Sequence, residues 1–185
     1  MENNLKVTSK KGQVWIETVI YLLIGLGVIG VLLAFIKPQI DEAIDKNIIE
    51  KSIDSLNKID SLISEISYVP GNSRTIILAL KKGSLFINTT ADTIKITVPN
   101  SKHEYSEIGR TIEIPGTRIQ ALTNKTGEVT TISLVMNYNI TTNITHNERE
   151  ENAEFKASET SYNLIVRNLG SENRIINIDF TIPGQ

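Results

Sequence analysis

His103 and His146 are the only imidazoles in this chain, and they are the first place to look for chemistry. Neither has a second histidine at metal-ligand spacing, and no H-E-x-x-H run occurs. His146 lies near Glu148, Glu150 and Glu151. Those are metal-binding residue types, but a short charged cluster of this kind is ordinarily a solvated loop, and no metal is expected there. There is no cysteine, which removes thiolate metal sites, cysteine nucleophiles and disulfide scaffolds. No G-x-S-x-G elbow and no phosphate-binding loop are found. The many serines and threonines carry no companion base. The chain reads as a protein that is not an enzyme and needs no cofactor. A surface enzyme working through His103 or His146 is the competing reading, and loss of an activity on His→Ala would be its signature.

The carboxylate of Glu17 poses a sharper problem. It is the only charged residue in the 23 positions from Val14 to Ile36. About 20 apolar residues cross a bilayer as a helix, and a lone acid within such a run is a functional candidate by default. Just before it stand Lys10, Lys11, Gly12 and Gln13. Four side-chain amides form a third group: Asn88-Thr-Thr, Asn124-Lys-Thr, Asn139-Ile-Thr and Asn143-Ile-Thr are N-glycosylation sequons, open to modification outside the cytoplasm. Asn and Thr used only as turn and surface residues would produce the same pattern. The sequence places Asn139 on the polar side of a strand and the other three near turns.

Positioning these residues requires three kinds of element. The run from Val14 to Ile36 is a membrane-spanning helix by length, and it holds small residues suited to close packing in lipid. Gly25, Gly27 and Gly30 match G-x-G-x-x-G, but no strand precedes them, so a dinucleotide site is not indicated. A cleaved secretory signal would need a shorter core and a small-residue cleavage site beyond it, and Ala34-Phe35-Ile36-Lys37-Pro38 supplies none. The basic head, with Lys6, Lys10 and Lys11 against Glu2, places the N-terminus in the cytoplasm and the bulk of the chain outside.

Beyond Pro38, which should kink the helix at the membrane exit, apolar residues recur every three or four positions. Ile40, Ile44, Ile48/Ile49, Ile53, Leu56, Ile59, Leu62/Ile63 and Ile66 form the stripe of an amphipathic helix. Tyr68-Val69-Pro70-Gly71 breaks it.

From there the period becomes two. Strands are expected over 74–81, 84–88, 93–98, 110–114, 117–123, 132–140, 160–168 and 176–182. Residues 146–160 read as a loop or short helix. The chain thus divides into a basic cytoplasmic leader (1–12), a transmembrane or filament-core helix (13–36), its amphipathic continuation (37–69) and an extracytoplasmic β-rich head (70–185). The fold class is α+β, a long kinked N-terminal helix followed by an antiparallel sheet or sandwich. Net charge is −2 with one Trp, four Phe and five Tyr, too little basic or stacking surface for a nucleic-acid partner.

Lys10-Lys11-Gly12-Gln13 followed by Glu17 resembles the class III, prepilin-type signal peptide of archaeal type IV pilin-like proteins. The resemblance covers roughly residues 10–36, and the plan of a long helix followed by a β-rich head also matches. It implies cleavage between Gly12 and Gln13 by a membrane-embedded prepilin peptidase. The apolar helix is then retained and Glu17 becomes the fifth mature residue. Trp15 departs from the pattern, standing where the family carries a small or hydroxyl residue. The resemblance also implies other pilin-like subunits and membrane lipid as partners, and a subunit-registration role for Glu17. The protein would be a structural subunit, either a pilin or a minor pseudopilin, of an archaeal type IV filament or a related secretion or adhesion machine. The alternative is a bitopic cell-surface binding module held by an uncleaved anchor.

Overall fold

A computed structural model of the chain describes residues 10–183, with side chains from Trp15 onward. One helix, α1 (Lys10–Ile66), is followed by ten strands: β1 (Ser73–Leu78), β2 (Ser84–Asn88), β3 (Thr93–Val98), β4 (Thr111–Glu113), β5 (Ile119–Thr126), β6 (Val129–Asn137), β7 (Thr142–His146), β8 (Ala153–Lys156), β9 (Tyr162–Glu172) and β10 (Ile175–Thr181). The architecture is α+β, a long apolar-headed helix followed by antiparallel-rich sheets. The chain forms two compact units, residues 1–41 and 42–185.

The first unit is helical from Lys10 onward, and its apolar side chains are exposed from Trp15 to Ile36. Pro38 lies inside α1 and does not end it.

In the second unit the apolar stripe of α1 becomes the core of a β-domain. Ile49, Leu56, Ile59, Ile63 and Ile66 are buried together with the inward residues of both sheets, while Ile48, Ile53 and Leu62 pack against that cluster. Apolar burial along α1 begins only there, since Ile40 and Ile44 are about half exposed. The i, i+3, i+4 spacing puts the buried residues on one face. The helix ends where Ser67 N–H bonds the Ile63 carbonyl and Val69 N–H the Ile66 carbonyl, just before Pro70 and Gly71.

The strands form two sheets. One has the order β1-β9-β10-β7, the other β4-β5-β6-β3-β2-β8. Alternation builds both. Ile94, Ile96 and Val98 of β3 face inward opposite Met136, Leu134 and Ile132 of β6, and Leu85 and Ile87 of β2 complete that surface. Leu164 and Val166 of β9 meet Ile178 and Phe180 of β10 in the same core.

Three expectations are corrected. The pairing is not wholly antiparallel, because β7 runs parallel to β10, with Thr142 opposite Ile176 and His146 opposite Phe180. Residues 146–160 are not simply a loop or helix, because β7 ends at His146 and β8 lies within the segment, pairing with β2. The strand expected over 132–140 instead starts at Val129 and stops at Asn137. Asn137 Oδ1 accepts the Asn139 N–H, and the Tyr138 carbonyl accepts the N–H groups of Thr141 and Thr142. These bonds close a turn, so Ile140, which alternation directs inward, stands 86% exposed.

Candidate functional site

The exposed apolar surface of α1 is the feature that most needs a function. Its N-terminal part is long and apolar enough to cross a membrane, and none of that window is buried inside the chain. A core helix of a soluble domain would bury it. Each large aliphatic or aromatic side chain left in water forgoes roughly 1.5–3 kcal/mol of burial free energy. The series Leu22, Leu23, Ile24, Leu26, Ile29, Leu32, Leu33 and Phe35 is more than half exposed throughout, the surface expected of a segment that meets lipid or apolar partners.

Glu17 sits in the first turns of this segment with its side chain exposed. Lys10, Lys11, Gly12 and Gln13 fall in the first helical residues, and their side chains lie outside the described residues. At 1.5 Å rise per residue, Gln13 and Glu17 are separated by about 6 Å along the axis, one turn apart on the same face.

The two histidines are not brought together into a site. His103 Nδ1 lies 3.3 Å from Glu42 Oε1 near the start of the second unit. The nearby Ser101 hydroxyl donates to the His103 carbonyl and not to the imidazole. His146 packs edge-on against Phe155, ring centroids 5.9 Å apart. Two of the three acids around His146 turn to arginines: Glu148 pairs with Arg167 at 2.9 Å and Glu151 with Arg149 at 3.9 Å. Among the described residues no group of three His, Asp or Glu side chains could hold a metal ion.

The polar groups that sequence reasoning passed over serve to join α1 to the sheets. Asp45 is buried on α1, and its carboxylate accepts from Lys82 Nζ at 2.6 Å and from the Lys102 N–H at 2.7 Å. Asp60, also on α1, accepts from the Tyr138 hydroxyl at 2.7 Å and lies 3.3 Å from Arg118 Nε. The Arg118 guanidinium stands 5.1 Å from the Tyr138 ring centroid. Burial, reinforced by the Asp60 hydrogen bond and charge and opposed by Arg118, raises the Tyr138 phenol far above its usual value. Asp45 and Asp60 look like solvated helix charges in the sequence, and only a long-range partner separates them from the others.

The sequons diverge in environment. Asn88 ends β2, is half-buried, and its Oδ1 accepts the Ala91 N–H. Asn124 is exposed near the β5–β6 hairpin tip. Asn139 lies in the turn after β6, not on a strand face, and Asn143 lies inside β7, not in a turn.

No protein-family model, no curated protein and no solved structure matches this chain.

Proposed function

We propose that this chain is a structural subunit, a pilin or minor pseudopilin, of an archaeal type IV filament or a related secretion or adhesion machine. It is held first in the membrane and then in a filament core by the apolar part of α1. The observation that carries this reading is the exposed apolar helix with a single carboxylate, Glu17, one turn beyond Gln13. Such a surface serves a lipid environment and a helix-packed one equally well, as a subunit moving between membrane and filament requires.

In this reading the N-terminus is cytoplasmic and residues 70–185 lie outside the cell. Prepilin peptidase removes residues 1–12 and exposes the α-amine of Gln13. During assembly the amine of a neighbouring subunit neutralises Glu17, which fixes the register of one subunit on the next. An uncompensated carboxylate in an apolar core costs several kcal/mol, so only the registered position is tolerated. The head has no catalytic part in this scheme.

The test is the N-terminus of the protein from its native membranes, read by peptide mass spectrometry. A mature chain beginning at Gln13 is expected. A chain that keeps Lys10-Lys11-Gly12 in cells with an active prepilin peptidase would overturn the filament reading in favour of a binding module on an uncleaved anchor.

A further inference from the structure

We infer that two of the four sequons, Asn124 and Asn139, are sites of N-linked glycan attachment and that the fold withholds Asn88 and Asn143. The inference rests on the outward orientation of the head proposed above. It adds to that reading a selection which the sequence alone does not make, because all four sites carry the same N-x-T pattern.

The chemistry sets two demands. The Asn Nδ2 must reach the anomeric carbon of an activated sugar, and the hydroxyl two residues on must be free for the transferase to read. Transfer forms the bond from Nδ2 to the anomeric carbon and breaks the bond from that carbon to the phosphate oxygen of a lipid-linked oligosaccharide. One amide proton passes to base, and the lipid phosphate leaves with the electron pair. No redox partner is needed.

Asn143 fails both demands. Its Nδ2 donates to Asn177 Oδ1 at 3.0 Å across the parallel β7–β10 pair, and the Thr145 hydroxyl is buried, donating to Asp179 Oδ1 at 2.8 Å. Asp179 is itself 1% exposed and also accepts the Glu148 N–H at 2.7 Å, so that hydroxyl cannot be released without opening the sheet edge. Asn88 fails the first demand alone: Thr90 is exposed, but Asn88 is half-buried and its side chain is pinned, its Oδ1 holding the β2–β3 turn through the Ala91 N–H. The central residue of its sequon, Thr89, is buried, with its N–H and hydroxyl both on Asn152 Oδ1, at 2.9 and 3.2 Å.

The other two sequons are presented to solvent. Asn124 opens a run in which every residue from 124 to 129 is exposed, turning through Gly127 at φ 62°. Asn139, Ile140 and Thr141 are all exposed in the β6–β7 turn, and the Thr141 hydroxyl makes long contacts, 3.4 Å to the Tyr138 carbonyl and 3.4 Å to the Thr142 hydroxyl, which an exposed residue gives up without opening a sheet. A glycan there would cover the isolated Ile140 side chain, which is otherwise an apolar residue left in water.

The experiment maps glycopeptides of the full-length protein from its native membranes. In parallel, intact cells are treated with a membrane-impermeant amine reagent and labelling of the exposed head lysines Lys81 and Lys156 is scored. Glycan is expected on Asn124 and Asn139, with Asn88 and Asn143 bare. Asn124→Gln and Asn139→Gln should each remove one glycan, and the double variant should remove all of it. A head that is labelled yet bare at Asn124 or Asn139 overturns the assignment of that site while the orientation stands. Glycan on Asn88 or Asn143 overturns selection by the folded head. A head that the reagent does not reach, on cells where a control surface protein is labelled, overturns the orientation and the glycan sites with it.

Discussion

The side-chain amide of Asn168, in β9, donates to the main-chain carbonyl of Ile66, the last residue of α1, at 2.8 Å, and reaches the Ser67 carbonyl at 3.2 Å. The last carbonyls of a helix lack intrahelical partners, and burial without one is costly. Asn168 supplies a second donor to the Ile66 carbonyl, beside the Val69 N–H, from 102 residues away. A β-bulge holds it in place: the β9–β10 register shifts beside it, and its Oδ1 accepts the Gly170 N–H at 2.7 Å. Asn168→Ala should lower the stability of the head by roughly 0.5–1.5 kcal/mol, the net worth of a hydrogen bond, because the Ile66 carbonyl keeps its bond from the Val69 N–H at 3.3 Å. Denaturant unfolding of the purified protein measures it. A change below a few tenths of a kcal/mol would mean that water replaces the amide.

Alkaline pH should probe the contact between Tyr138 and Asp60. The Tyr138 phenol is held protonated by burial first and by the Asp60 hydrogen bond second. Its folded pKa lies above its unfolded value of 10.0. The folded state therefore keeps a proton that the unfolded chain loses, and stability falls as pH rises past that unfolded value. Below it the contribution is fully present. Tyr138→Phe should lose roughly 1 kcal/mol at neutral pH and flatten the part of the alkaline slope that this tyrosine causes. Melting temperatures of both proteins across the alkaline range decide it, and parallel curves would contradict the assignment.

Glycines at two turns should separate close approach from backbone conformation. Gly83 and Gly116 both have φ near +80°, at 82° and 76°. A Cβ on Gly83 would collide with the Thr97 carbonyl and press on Pro99 Cδ, whereas one on Gly116 meets nothing within 4 Å. Gly116→Ala should cost about 1 kcal/mol, the left-handed strain alone. Gly83→Ala should cost about 3 kcal/mol or more, since strain and overlap add. Equal losses in chemical denaturation would show that the β2–β3 edge yields to the methyl group.

Glu17 provides the prediction tied to assembly. Glu17→Ala should leave leader removal intact and reduce incorporation into filaments to a small fraction of the native level. Co-expression with the unaltered chain, followed by quantification of both in sheared filaments, gives the comparison. Incorporation in proportion to expression would remove the registration role.

The elements that were legible in the sequence are those whose burial follows a local period. Ile94, Ile96 and Val98 announce β3 by strict alternation, and Leu56, Ile59, Ile63 and Ile66 announce a helix with one buried face. The apolar run from Val14 to Ile36 is long and apolar enough to cross a membrane, and composition alone shows that.

What has no local signature was decided only by tertiary structure. Thr142 and Thr145 of β7 are buried polar residues, Thr145 satisfied by Asp179 from another strand, so β7 shows no apolar alternation. Ala153 and Phe155 do alternate in β8, but four residues among charges are too few to stand out. The β9–β10 hairpin turns through Asn173 and Arg174, both at positive φ, where an arginine gives no turn signal. Asp45, Asp60 and Asn168 resemble any other surface polar residue until Lys82, Tyr138 and the Ile66 carbonyl arrive from far along the chain. The same holds for the four sequons, which share the N-x-T pattern and differ in what the folded sheet leaves within reach. Periodicity is written in neighbouring residues, whereas the satisfaction of a buried polar group depends on which distant segment the fold brings beside it.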